Sequence, residues 1–238
     1  MTPAPQTSPP PPGQRWRSRA PRFGLWPYAG RFPAEPERRW LDVVGPDGAP
    51  RRVDAHALEP YRQDLVAPLH CVTTWSVDGL RWSGFPLRQV WALASAAWPA
   101  APDPGGWVML RGQDGYRTLL PLTDLLAEGV LLADRLEGRP LPVEHGAPWR
   151  LVAPAHYGYK QVKHLARLTW CAEVPAQWGS GWRFMDHPRA RVALEERGQG
   201  WPGWLLRRLY RPLIAPTVWH FARRARHAPV AARKEEAS

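Results

Sequence analysis

A single thiol, Cys71, sits in the run His70-Cys71-Val72-Thr73-Thr74-Trp75-Ser76, where an apolar stretch opens into a polar turn. A thiolate is the ligand a protein offers to a soft, redox-active metal, and a cysteine so placed is both held and reachable. One cysteine cannot fill a coordination sphere. If Cys71 is a ligand, most of the donors must come from a non-protein cofactor that other residues grip. The run His145-Gly146-Ala147-Pro148-Trp149-Arg150 and the run Tyr157-Gly158-Tyr159-Lys160-Gln161-Val162-Lys163 have the composition for that grip. Arg150, Lys160 and Lys163 supply charge for an anionic group, and Gly158 lets the backbone approach it with no side chain in the way. Lysine occurs only at 160, 163 and 234, so two of the three fall inside this one segment.

With Trp82-Ser83-Gly84-Phe85-Pro86-Leu87 following the cysteine, these three separated motifs resemble the molybdopterin-binding domain of the sulfite oxidase family. The likeness is closest to its protein-methionine-sulfoxide reductase catalytic subunit branch and runs over roughly residues 22 to 200. The resemblance implies a molybdenum-molybdopterin cofactor with Cys71 as metal ligand and catalytic residue. It also implies that His145, Arg150, Gly158, Tyr159, Lys160 and Lys163 bind the pterin, whose terminal phosphate needs cations and backbone donors. The activity implied is oxygen-atom transfer on a small substrate such as a sulfoxide. Electrons would come from a separate partner, because no heme or iron–sulfur motif is present.

Several positions depart from the family pattern. His145 stands where the reductase branch has asparagine, and Thr73 replaces a carboxylate common there. Arginines that hold an anionic substrate soon after the cysteine in the sulfite-oxidising branch have no counterpart before Arg81. Tyr157 is the second catalytic candidate and, with Arg111 and His156, a candidate lining of the substrate pocket. The stretch Trp178-Gly179-Ser180-Gly181-Trp182 is a candidate loop over the cofactor or a plain surface turn.

The elements that must position these residues read as an α+β arrangement, mixed and mostly β with short peripheral helices. Trp40 to Val44 and Arg51 to Val53 flank a Gly-Pro-Asp-Gly turn. A short helix is expected between His56 and Leu65 before the Cys71 strand, and another from Pro86, with proline in its first turn. Further strands are expected at Trp107–Leu110, Tyr116–Leu120, Gly129–Arg135 and Arg150–Ala153, with a helix over Leu122–Glu128. Residues 1 to 20 are proline-rich and polar and are expected to form a flexible tail; residues 21 to 200 form the domain, and 201 to 238 a basic aromatic segment. Pro212 and Pro216 prevent that segment from being one long helix.

Fifteen tryptophans in 238 residues favour a well-packed globular protein over a disordered one. The formal net charge of +11 is confined to the ends: residues 1–40 carry +5 and residues 201–238 carry +6, leaving 41–200 neutral. A basic groove for nucleic acid in the folded domain is thereby disfavoured. The competing reading is a non-catalytic binding module whose arginine-rich ends attach to nucleic acid or a membrane surface. The segment 201–227 can lie on an anionic membrane or dock on a partner, or it can pack on the core with a charged outer face. Cys171 reads as a buried structural thiol, and a disulfide to Cys71 would preclude ligation. No apolar export segment is seen near Met1, so a cytoplasmic location is expected.

Overall fold

Apolar residues at alternate positions, punctuated by glycine and proline, give this chain short strands rather than long helices. The computed structural model describes residues 9–225. Strand β1 (Arg15–Trp16) precedes a hairpin of β2 (Trp40–Val44) and β3 (Pro50–Asp54). Helix α1 (Ala55–Leu58) and a 3-10 turn lead into β4 (Gln63–His70), which doubles back into the long β5 (Trp75–Pro86). Helix α2 (Leu87–Ser95), the hairpin β6 (Trp107–Gly112) and β7 (Arg117–Pro121), and the one-turn α3 (Leu122–Leu125) follow. Next come β8 (Leu131–Leu136), β9 (Arg139–Pro140), β10 (Arg150–Val152) and β11 (Leu165–Cys171), then helices α4 (Gly203–Tyr210) and α5 (Ile214–Ala225).

Two sheets result. One runs β1-β5-β8-β10, with β4 added to β5 and β9 to β8; the other runs β3-β2-β11-β6-β7. Both feed one core with α2, in which Leu41, Phe85, Val90, Leu110, Leu132 and Leu168 are wholly buried. Gly84 is required where β5 meets β8 at a register shift: a Cβ there would lie 2.2 Å from the Leu132 carbonyl oxygen. The mixed, mostly β class with short helices is what the alternating pattern implies.

Three expectations are corrected. The helix between His56 and Leu65 is a single α turn and a 3-10 turn, because Pro60 removes a donor and β4 already begins at Gln63. The helix over Leu122–Glu128 stops at Leu125. Residues 1–8 of the expected flexible tail lie outside the described residues, but residues 14–17 are docked rather than loose. The reason is the open edge of β5: Arg15 N donates to Thr74 O at 2.9 Å and Arg17 N to Ser76 O at 2.7 Å, satisfying backbone groups that would otherwise be unpaired. The C-terminal helices pack inward through Leu206, Tyr210, Thr217 and Phe221, with Pro212 separating them. Residues 226–238 of that segment lie outside the described residues.

Candidate active site

Cys71 occupies the turn between β4 and β5. Its amide donates to Trp75 O at 2.8 Å, and Thr74 N donates back to Cys71 O at 3.2 Å. Thr74 adopts φ 84°, a left-handed conformation that is costly for a β-branched residue and persists only where surroundings impose it. The surroundings are specific. Gln14 donates its amide to Cys71 O at 3.2 Å and accepts from Ser76 Oγ at 3.0 Å. The wholly buried Arg197 donates to Val72 O and, at 3.3 Å, to Pro12 O, while pairing with Glu195 at 3.2 Å. Both ends of the chain therefore clamp the turn that presents the thiol. Cys71 Sγ lies 3.1 Å from Thr73 Oγ1. Burial pushes the thiol pKa up, outweighing the Thr73 hydrogen bonds and the Arg197 and Lys163 charges that favour the thiolate.

The thiol opens on a cavity of about 630 Å³, whose walls also carry His145, Arg150, Gly158, Tyr159 and Lys163. Gly146 and Gly158 make this meeting possible. A Cβ at Gly158 would press to 3.3 Å on His70 O, and one at Gly146 (φ 118°) to 3.1 Å on Lys163. Arg150 Nη1 donates to His145 O at 2.9 Å, its guanidinium lies 5.0 Å from the Trp82 ring centre, and its Nε has no hydrogen-bond partner among the described residues. Lys163 Nζ reaches only carbonyl oxygens, Glu144 O at 2.7 Å and Phe23 O at 3.5 Å. Burial lowers Lys163 to about 7, with Arg150 and Arg22 adding repulsion, and lowers Arg150 to about 10. Burying two cations costs several kcal/mol, which Asp114 and Glu144 on the same cavity wall offset only in part for Lys163, and an anion seated between Lys163 and Arg150 would offset it further. The donor set therefore fits a phosphate-bearing cofactor: buried cations with an unused guanidinium N–H, and a glycine-lined backbone approach beside a thiol.

Two expected site residues are not brought to the cavity. Lys160 is wholly buried, but its Nζ donates to Leu119 O at 2.6 Å and lies 4.6 Å from the Trp178 ring centre, because the turn after Gly158 sends Tyr159 and Lys160 to different sides. Tyr157 packs against Ala190 and Val192 with Arg197 stacked 5.0 Å over its ring. Its ring thus supports the arginine that holds the Cys71 turn. Of the other pocket candidates, Arg111 is exposed on β6, and His156 is locked by Arg189 O at 2.5 Å. The loop from Ser180 to Trp182 does border the cavity. Cys171 is half-buried rather than buried, and both cysteines are free. Among the described residues no three His, Cys, Asp or Glu side chains gather to hold a metal, so an ion at Cys71 would draw its other donors from outside the protein.

Residues not singled out from sequence complete the wall. Arg22 comes from the N-terminal stretch, and Tyr210, Thr217 and Phe221 come from α4 and α5. Tyr210 is 4 % exposed, and its hydroxyl has no hydrogen-bond partner among the described residues. Burial raises its pKa to about 12, so the phenol keeps its proton and is available as a donor. No local signal marks these positions, since Tyr210 reads as one more apolar position of an amphipathic helix.

Residues 29–178 match the family described as the oxidoreductase molybdopterin binding domain. An uncharacterized oxidoreductase, YuiH, of Bacillus subtilis is 39 % identical over 111 residues, covering 46 % of this chain and 54 % of that protein. The protein-methionine-sulfoxide reductase catalytic subunit MsrP of Pseudomonas syringae pv. tomato is 31 % identical over 205 residues, covering 71 % and 57 %. MsrP of Gluconobacter oxydans is 30 % identical over 182 residues, covering 65 % and 58 %. The chain thus spans little more than half the length of these curated relatives. Among solved structures, the sulfane dehydrogenase SoxCD of Paracoccus pantotrophus aligns with TM-score 0.48 and 22 % identity, over 58 % of this chain and 39 % of that one.

Proposed function

Since the chain belongs to the oxidoreductase molybdopterin binding domain family, we propose that it holds a molybdenum-pterin at Cys71 and transfers an oxygen atom from a small sulfoxide-like substrate. The observation that carries this reading is the meeting, in one cavity, of a lone thiol with two buried cations whose side chains hydrogen-bond to backbone carbonyls. When bound, the molybdenum-pterin supplies a metal able to change oxidation state as oxygen is taken from or given to the substrate.

Cys71 Sγ would be the protein's ligand to the metal, and it must shed its proton to serve. Burial opposes that loss until a cation arrives, while Thr73, Arg197 and Lys163 favour it. Arg150, Lys163 and the backbone at Gly158 would hold the terminal phosphate, with His145 on the same wall. Tyr159 shapes the pocket, its hydroxyl fixed by an amide donation from His187 N at 3.0 Å. The remaining wall is rich in aromatic side chains, among them Phe23, Trp75 and Phe221, which excludes water and suits a neutral, apolar-bodied substrate. With Cys71 given to the molybdenum, Cys171 is the one cysteine left in the given sequence, too few for an iron–sulfur cluster here, so electrons would be delivered by a separate redox centre or carrier.

The test is metal analysis and sulfoxide reduction by protein made in a host that assembles the cofactor, with a reduced dye as electron source. Molybdenum near one equivalent with turnover supports the reading; folded protein without molybdenum overturns it. Lys163→Met should weaken cofactor retention about tenfold to a hundredfold, the loss expected for one charge-assisted hydrogen bond, read as pterin released per chain. Tyr210→Phe separates binding from chemistry on the substrate side. Its hydroxyl has no hydrogen-bond partner among the described residues, so the melting temperature should hold or rise, whereas kcat/KM for a sulfoxide should fall about tenfold if the phenol donates to the substrate oxygen.

A further inference from the structure

Helices α4 and α5 have two working faces. Leu206 and Tyr210 on α4, and Thr217 and Phe221 on α5, are buried four residues apart, and Tyr210, Thr217 and Phe221 wall the cavity. At 3.6 residues per turn, the positions two beyond Leu206 and Thr217 face away from it. Those positions hold Arg208 and Trp219. Trp204, four before Arg208, and Arg223, four after Trp219, share the outward faces. The result is the same pair made twice: the Arg208 guanidinium lies 5.6 Å from the Trp204 ring centre, and that of Arg223 lies 5.5 Å from Trp219. Trp204 is 50 % exposed and Trp219 62 %, and Leu209 on α4 is exposed as well. Between residues 201 and 225 there are five arginines and no acidic residue.

We propose that this outward face rests on an anionic lipid surface, with Trp204 and Trp219 at the boundary between headgroups and acyl chains and Arg208 and Arg223 on the phosphates. Indole rings with one polar edge partition to that boundary, and guanidinium groups beside them match its negative charge. The helices are 8 and 12 residues long, and among the described residues none is long and apolar enough to cross a membrane, so they lie along the surface. Nucleic acid fits less well. The exposed Leu209 on this face offers no ring for a base to stack on. A lipid surface accommodates the aliphatic Leu209 and the two indoles alike. This inference concerns the outside of the helix pair and stands or falls independently of what the cavity binds.

The test is co-sedimentation of the full chain with phosphatidylcholine vesicles, with and without phosphatidylglycerol. Binding is expected only where phosphatidylglycerol is present. Trp204→Ser combined with Trp219→Ser should weaken it about tenfold or more. Arg208→Gln combined with Arg223→Gln should weaken it about fivefold per arginine at low salt. All four changes lie outside the cavity, so melting temperature and turnover of a soluble substrate should match those of the unchanged chain. Undiminished binding by the double tryptophan variant would overturn the proposal, because the arginine-rich ends alone would then make the contact. Equal binding to pure phosphatidylcholine would do the same, as would tighter binding of a single-stranded oligonucleotide with the same tryptophan dependence.

Discussion

Cys71→Ala is expected to purify folded, with molybdenum at background and no turnover of a sulfoxide. The turn that presents the thiol is built from backbone bonds of Cys71, Thr74 and Trp75 and from the Gln14 and Arg197 clamps, none of which uses the sulfur. Its side-chain hydrogen-bond partner is Thr73 Oγ1 at 3.1 Å, so truncation should cost about 1 kcal/mol or less of stability. The loss of metal should be near total, since no second protein donor cluster exists among the described residues. Cys71→Ser should fare little better: a serine hydroxyl does not ionise near neutral pH and is a hard donor where a soft one is needed. Cys171→Ala is the control and should retain both metal and activity, because that sulfur meets backbone groups of β11 and β6, Thr169 O at 3.7 Å and Met109, and does not line the cavity. Full turnover by Cys71→Ala would remove the basis of the proposed function.

The cofactor-free protein should lose stability steeply as pH falls from about 6.5. His164 is buried with Nδ1 2.5 Å from Ala147 O, an arrangement that suits the neutral ring donating to the carbonyl. Burial holds its pKa down to about 3, and burial followed by the Lys163 and Arg150 charges holds His145 to about 3 as well. Both folded values lie below the unfolded value near 6.5, so between those limits only the unfolded chain takes up protons. The stabilisation is complete above 6.5 and is withdrawn as pH drops toward 3, amounting to roughly 2 to 4 kcal/mol by pH 5 for the two rings together. Lys163 acts in the same sense over a higher window. Its folded value of about 7 lies below the ordinary lysine value, so stability rises further with pH above 7. Urea midpoints measured from pH 8 down to pH 4.5 check the first statement, and His164→Gln should flatten the acid limb by removing one titrating group while keeping an N–H for Ala147 O. A pH-independent midpoint over that range would contradict it. Bound phosphate should stabilise the protein more at pH 6 than at pH 9, because an anion beside Lys163 favours its charged form.

The strands were legible from local pattern. Alternating apolar residues at Trp40–Val44 and Trp107–Gly112, and the turns at Gly45–Gly48 and Gly112–Gly115, need only their neighbours in sequence to be read. Proline at 60 and the early start of β4 cut short a helix that propensity alone would extend. The candidate site was legible as residue types around Cys71, Arg150, Gly158 and Lys163. The direction of each side chain was not, and Lys160 and Tyr157 point elsewhere because neighbouring positions on a turn face different partners.

What the amino-acid sequence determined by itself was a mostly β chain with one thiol suited to a soft metal and a short cationic, glycine-bearing segment suited to an anion. Those are properties of residue type and near spacing. Only the tertiary structure decided that residues 14–17 and Arg197 clamp the Cys71 turn, that Arg22 and Tyr210 reach the cavity from opposite ends of the chain, and that two tryptophan–arginine pairs stand on its outer wall. Each depends on which distant groups meet once the sheets close. A buried arginine or tyrosine is chosen by unpaired carbonyls and empty space contributed from elsewhere, and neither leaves a mark in the neighbouring letters.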